Sequence, residues 1–268
     1  ANPANPTQFA PNDEYLMLLS EIDPDLHQVV ENAVAQPVYD PSGYDVTQYH
    51  PRYWLINGRS FPDTIAPNFA SWLPTQPYGA LLHIAPTAPG SFPAAMRFLN
   101  VGTLGHPIHP HGDHVRLIGR DGRPLEGPAG ENLAQDLFSL NVGPGQAWDA
   151  LYDWTNVGSG TQASPAPYNP SGNPLPADTL NEQARTWLNP RDQNQIFLDP
   201  NWYSGSPYLG YQADQDGGPT SFNECGEFYH IWHSHALNEA ANYEAGFGGM
   251  ITLERIDPPQ PNTCLSQP

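Results

Sequence analysis

His106-Pro107-Ile108-His109-Pro110-His111-Gly112-Asp113-His114 sets four imidazoles within nine residues. A second stretch, His230-Ile231-Trp232-His233-Ser234-His235, adds three more, so seven of the ten histidines fall in two short clusters. Each cluster contains a His-x-His step. On an extended strand, residues i and i+2 share a face, so each step presents two imidazoles side by side. By this parity His109 and His111 share one face, with His106 and His114 on the other. His233 and His235 share a face, and His230 does not. The candidate metal ligands are therefore His109, His111, His233 and His235, with His106 and His114 as weaker candidates. Neutral imidazole suits copper, zinc, iron and nickel. A lone histidine is ordinarily a surface or hydrogen-bonded residue; two paired steps in one chain point to metal.

Ligand type narrows the metal without settling it. A closed structural zinc site commonly includes cysteine, and neither cluster contains one. A non-haem iron triad needs a carboxylate, and Asp113 and Glu239 are the nearest. Both are read instead as solvated groups or as groups that orient a histidine, with a proton relay as their candidate catalytic role.

Composition bounds the rest. The 268 residues allow one large domain or two small ones, with ample core. With 24 glycines and 32 prolines the chain is rich in turns and poor in long helices. No apolar run approaches the ~18–20 residues of a membrane span. The net charge of −19 argues against nucleic acid and anionic membrane surfaces as partners. The N-terminal Ala-Asn-Pro-Ala-Asn-Pro has no apolar signal core, so a secreted protein would be represented here by its mature form or a fragment. Cys225 and Cys264 form no C-x-x-C pair, and their even number favours a disulfide between a loop and the C-terminal tail. That bond would place the chain outside the reducing cytosol: secreted, periplasmic or at the cell surface.

Along the chain, Glu14–Ile22 reads as a strand and Asp25–Ala35 as a short helix or irregular turn, followed by a Pro/Tyr/Gly-rich linker over Val38–Arg52. From Tyr53 the pattern becomes short apolar runs between turns, as in a sandwich or barrel. The predicted strands are Tyr53–Asn57, Ala80–Ala85, Ala95–Val101, His114–Ile118, Ala147–Trp154, Glu227–Trp232 and Met250–Glu254. Residues 156–224 are a Pro/Asn/Gly/Ser-rich insertion, with a helix expected around Leu180, Ala184, Trp187 and Leu188. Ala236–Ala245 is also expected to be helical.

At the first cluster the chain resembles the multicopper oxidase family, whose ligand motif H-P-x-H-x-H-G stands here as His106 to Gly112. Arg97-Phe98-Leu99-Asn100-Val101-Gly102-Thr103 is similar to the strand before that motif. Val142-Gly143-Pro144-Gly145-Gln146-Ala147-Trp148-Asp149 is similar to the family's V-x-P-G-E-x-x-D strand, and Tyr53-Trp54-Leu55-Ile56-Asn57-Gly58 to its domain-entry strand. Ser20-Glu21-Ile22-Asp23-Pro24 resembles the exit strand of a preceding domain. The resemblance implies an all-β, Greek-key, cupredoxin-like β-sandwich with a long irregular insertion and an N-terminal extension. On that reading residues 1–50 are an arm and linker resembling the end of a preceding domain. Residues 51–256 are the cupredoxin-like domain, and residues 257–268 are a tail.

The resemblance also implies roles. His109 matches a type 2 copper ligand, and His111, His233 and His235 match type 3 ligands. The type 1 site is altered: Ser234 stands where that site has its cysteine, and Glu239 where it has a further histidine. Serine cannot replace thiolate for blue copper. His106 is then left without evident partners and reads as structural; Met250 reads as an apolar strand residue. A trinuclear cluster takes eight histidines, four from each of two facing domains, and this chain supplies four. The cofactor implied is copper, and the partner a second cupredoxin domain or subunit, including another copy of this chain. The leading expectation is half of an oxygen-reducing site completed by that partner. The alternatives are a non-catalytic secreted copper-binding protein and a structural subunit of an extracellular assembly.

Overall fold

The computed structural model describes residues 8–10, 13–38, 44–84, 92–111, 114–152, 228–243, 246 and 248–256. Twelve strands are described: β1 (Glu14–Ile22), β2 (Tyr53–Ile56), β3 (Leu82–Ile84), β4 (Ala94–Asn100), β5 (His106–Pro110), β6 (Val115–Arg120), β7 (Arg123–Pro124), β8 (Gln135–Leu137), β9 (Leu140–Val142), β10 (Ala147–Tyr152), β11 (Phe228–Ser234) and β12 (Ile251–Ile256). They form two sheets. One runs β2-β1-β4-β10-β6-β7, with β8 also on β6; the other runs β3-β12-β11-β5-β9. The chain crosses between sheets at β4–β5–β6 and again at β9–β10. This is the all-β, Greek-key sandwich the sequence predicts.

Strand alternation builds the core. In β1, Met17 and Leu19 point inward with polar or half-buried residues between them, and in β4 Met96 and Phe98 do the same. Trp232 of β11 stacks on Phe98 of the facing sheet at 6.2 Å and meets Tyr152 edge-on at 5.3 Å. Its indole N–H donates to Glu254 at 2.7 Å, which satisfies the one polar atom this side chain brings inside. A smaller cluster, Phe61, Ile65, Ile231, Ile251 and Leu253, is separate from this main core. The sequence between β2 and β3 is anchored by Arg59, whose buried guanidinium donates to the carbonyls of Gln76, Asp63, Ala66 and Pro67.

Several elements differ from the sequence reading. Glu14–Ile22, predicted as a strand, is an inner one: it pairs antiparallel with β2 and parallel with β4. The strand therefore belongs to the same sandwich as the rest. The helix α1 (Pro24–Val34) forms where a helix or turn was expected. Its Asp23 cap accepts from the N–H groups of Asp25 and Leu26, and from Tyr44 and the His50 N–H in the linker. Where Ala236–Ala245 was expected to be helical, the described residues 236–243 form no α-helix; a 3₁₀ turn spans Leu237–Ala240. The carbonyls of Glu239 and Ala240 accept from Met250 and Gly248, so they are taken by the returning chain rather than by donors four residues on.

Strands β7, β8 and β9 were not among the predicted strands, and β5 was presumed only in the parity of its histidines. β5 carries two prolines, which argue against an inner strand. It is tolerated because its pairing changes partner midway: residues 106–108 pair with β9, and 108–110 with β11. The expected disulfide between Cys225 and Cys264, the insertion with its helix, Asp113, and the 257–268 tail lie outside the described residues. No helix among the described residues is long and apolar enough to cross a membrane.

Candidate metal centre

The two histidine clusters meet on one strand pair. β5 and β11 run antiparallel with His109 directly opposite His233. Parity then acts as expected. In β5, His106, Ile108 and Pro110 are buried while Pro107 and His109 are half-buried; in β11, Trp232 and Ser234 are buried and His233 is half-buried. His111 and His235 continue the same alternation just beyond the strand ends. The N–H of His111 donates to Ile231 and that of His235 to Pro107, so each step is also tied to the opposite strand.

The resulting face is dense in imidazole. The ring of His109 lies 5.2 Å from His111, 5.3 Å from His233 and 5.1 Å from His235, centroid to centroid. His111 and His233 are 5.1 Å apart, and His233 and His235 5.9 Å. Ligand atoms of His109, His111 and His233 all fall within 4.8 Å of one another. His235 borders this group and is exposed. His114 is exposed and outside it.

Ring orientation suits metal binding. His109 places Nδ1 against the Phe138 carbonyl, and His233 places Nδ1 against the Ser234 carbonyl at 2.7 Å. A carbonyl can only accept, so in both rings Nδ1 carries the proton and Nε2 keeps its lone pair. This is the arrangement that fixes the tautomer of a metal-binding histidine. His233 Nε2 lies 2.8 Å from His111 Nδ1 and accepts that ring's proton. Burial, followed by the neighbouring His233, His109 and His235 rings, pushes His111 down to about 4. Burial also brings His233 down to about 4, the Ser234 hydrogen bond opposing it and the His109 and His235 rings adding to it. Burial lowers His109 as well, against the Phe138 hydrogen bond. These rings are neutral at ordinary pH and able to act as ligands. Clustered neutral imidazoles, with no cysteine among the described residues, fit copper, and equally satisfy the nitrogen preference of zinc.

Behind this face sits a second constellation. His106, fully buried, is 3.0 Å from Glu239 Oε2 through Nδ1 and 3.0 Å from Glu21 Oε2 through Nε2. Ser234, also fully buried, donates its hydroxyl to Glu239 Oε2 at 2.5 Å. Burial opposes the charge on His106, but the hydrogen bonds and charges of Glu21 and Glu239 outweigh it and raise the ring to about 9. Burial likewise opposes ionisation of Glu21, and its bonds to His106, Thr103 and Tyr49 bring it below the usual carboxylate range. The expectation that His106 lacks partners is thus corrected: both its nitrogens are engaged by carboxylates. Glu239 is neither solvated nor on the imidazole face; it joins His106 to Ser234. Met250 is a buried core residue, as read.

Glu21 was missed as a functional candidate. The signal was present, because Met17, Leu19 and Glu21 share the inward parity of β1, and a carboxylate there demands a buried partner. Phe138 left no such signal, since it contributes a backbone carbonyl.

No family model matches the chain, and no curated protein matches it. Among solved structures it is similar to a blue copper oxidase from Nitrosomonas europaea, with 14% identity over 91% of this chain and 43% of that one and a TM-score of 0.41. It is also similar to the multicopper oxidase mgLAC, at 16% identity over 91% and 44% with a TM-score of 0.45. A Cu-containing nitrite reductase from Thermus scotoductus matches at 12% identity over 96% and 33%, with a TM-score of 0.41. The chain spans less than half the length of each of these structures, which are multicopper oxidases and a copper nitrite reductase.

Proposed function

We propose that this chain is a copper-binding domain of a multicopper-oxidase-like assembly, and that its imidazole face supplies four ligands to a site completed by a partner. The observation that carries this reading is the convergence of His109, His111 and His233, with ligand atoms within 4.8 Å, and of His235 beside them. Bound copper would supply the redox chemistry for reducing dioxygen. The chain's own residues do the holding: the Phe138 and Ser234 carbonyls orient two rings, and burial with mutual proximity keeps the rings unprotonated. An ion placed here replaces the hydrogen bond between His111 and His233.

The partner is a second cupredoxin domain or subunit, including another copy of this chain. His235 is exposed and Phe138, beside His109, is 58% exposed, so this side is open to a facing surface. Electrons would arrive from a type 1 copper elsewhere, because Ser234 and Glu239 hold the corresponding positions here with a hydrogen bond. The location we assign is outside the reducing cytosol.

Copper content per chain of the native assembly, with electron paramagnetic resonance to separate type 2 from coupled copper, tests the reading. The expected result is copper that disappears in His109→Ala plus His233→Ala. A copper-free assembly, or one whose copper survives both substitutions, overturns it. A second reading, a non-catalytic copper carrier, is favoured by the hydrogen-bonded Ser234–Glu239 pair. Oxygen consumption by the copper-loaded chain with a reducing donor would exclude it.

A further inference from the structure

We propose that the buried Glu21–His106–Glu239–Ser234 network is the positioning device of the imidazole face, with Glu239 acting through Ser234 on the ring of His233. The inference rests on the reading of the four outward histidines as ligands.

Glu21 belongs to β1, in one sheet; His106 and Ser234 belong to β5 and β11, the two ligand-bearing strands of the other. His106 sits three residues before His109, and Ser234 lies between His233 and His235. One oxygen, Glu239 Oε2, accepts from both His106 and Ser234. A single carboxylate therefore holds the two ligand strands from behind at the level of the ligands.

The coupling to the metal face is direct. Ser234 is held through its hydroxyl by Glu239, and its carbonyl accepts from His233 Nδ1 at 2.7 Å. That bond sets the ring orientation and leaves His233 Nε2 facing His111 at 2.8 Å. Rotation of the Ser234 peptide would release the ring. The far end is equally fixed. Glu21 Oε1 accepts from Thr103 N, Leu104 N and the Tyr49 hydroxyl, while Oε2 takes His106.

Two glycines make room for the two carboxylate-bearing segments. A Cβ at Gly102 would overlap the Glu21 carboxylate. A Cβ at Gly249, where φ is +62°, would overlap the carbonyls of Glu239 and Ala241. An uncompensated buried ion is costly, so an arrangement of two carboxylates around one imidazole persists only while every contact is kept. Such a network holds its members in one geometry.

The test uses the full chain and three variants. Ser234→Ala removes the hydroxyl while leaving the His106–Glu239 pair. Glu239→Leu removes the shared acceptor. Glu239→Gln still offers one carbonyl oxygen to both Ser234 and His106. Two readouts are taken: ¹⁵N signals of the His233 ring in the metal-free protein, and Cu(II) affinity by chelator competition with its paramagnetic resonance spectrum. The expected result is loss of the single Nδ1–H tautomer of His233 in Ser234→Ala and Glu239→Leu. It is accompanied by an affinity loss of about 10–100-fold and an altered copper spectrum, with substantial rescue by Glu239→Gln. An unchanged His233 tautomer in folded Ser234→Ala overturns the proposal; that variant decides alone if Glu239→Leu does not fold. If the wild-type chain takes up no Cu(II), the ligand reading fails and the ring signals decide this inference by themselves.

Discussion

On the outward face of β5 and β11, imidazoles crowd one another with centroids 5.1 to 5.9 Å apart, and His109 and His233 hold their tautomers through backbone carbonyls. On the inward face of the same strands, one imidazole sits between two carboxylates at 3.0 Å. The strands and the residue type are the same; the surroundings differ. Outward, burial and then the neighbouring rings discourage charge on His109, His111 and His233, so these three rings stay neutral and available. Inward, two carboxylates demand a cation, so the ring stays charged and is committed to structure. Parity along β5 assigns His106 and His109 to these opposite roles at a distance of three residues.

The sharpest way to break the comparison is to remove the inward ring. His106→Phe leaves Glu21 and Glu239 buried without their cation and is expected to destabilise the protein by about 3–5 kcal/mol in urea unfolding. His109→Ala, measured on the metal-free protein, should cost far less, because its ring is half-buried beside other neutral rings. Equal losses would end the distinction between the faces.

The two faces should also give stability slopes of opposite sign with pH. His106 is raised from 6.5 to about 9, so its contribution is complete below about 6.5 and is lost as pH rises through about 9. His111 and His233 are lowered from 6.5 to about 4, so the unfolded chain binds protons that the folded chain does not in that interval. Their effect is a loss of stability as pH falls from about 6.5 toward about 4, joined at acid pH by protonation of Glu21. Urea midpoints of the metal-free protein across pH should therefore peak near neutrality. His106→Phe should flatten the alkaline limb and remove the share of the acid limb that Glu21 owes to His106, leaving the share of His111 and His233.

Metal should stabilise through the outward face. Cu(II) at a hundred times its dissociation constant is expected to add about 2.7 kcal/mol to the wild-type chain. It should add nothing to His109→Ala plus His233→Ala, and still act on Phe138→Ala. Phe138→Ala itself should shift stability by no more than about 0.5 kcal/mol, since that ring is exposed and its contact with His109 Nδ1 is made by the backbone. A large copper deficit in Phe138→Ala would show that the aromatic ring, rather than the carbonyl, supports the site.

Much of this was legible beforehand because it depends on period-two alternation. The two His-x-His steps, the segregation of His106, and eight of the strands follow from local pattern, with boundaries shifted by one or two residues at most ends. What escaped was set by partners distant in sequence. β5 hides behind Pro107 and Pro110, β9 is three residues long, and the Ala236–Ala245 segment has helical composition but gives its carbonyls to Gly248 and Met250. Glu21 showed inward parity, but its partner lies 85 positions away in the chain.

By itself the sequence determined which imidazoles could share a face, since side-chain direction on a strand depends only on residue parity. It also determined that Ser234, having no thiolate, could not serve a blue copper. Tertiary structure alone decided that the two faces would meet as one patch, because that depends on β5 lying beside β11 with His109 opposite His233. It also decided the fate of the buried polar residues behind the patch. Glu21, His106 and the Ser234–Glu239 stretch are three segments far apart in sequence, and only folding brings them within hydrogen-bonding distance and removes the water that would otherwise have satisfied each residue.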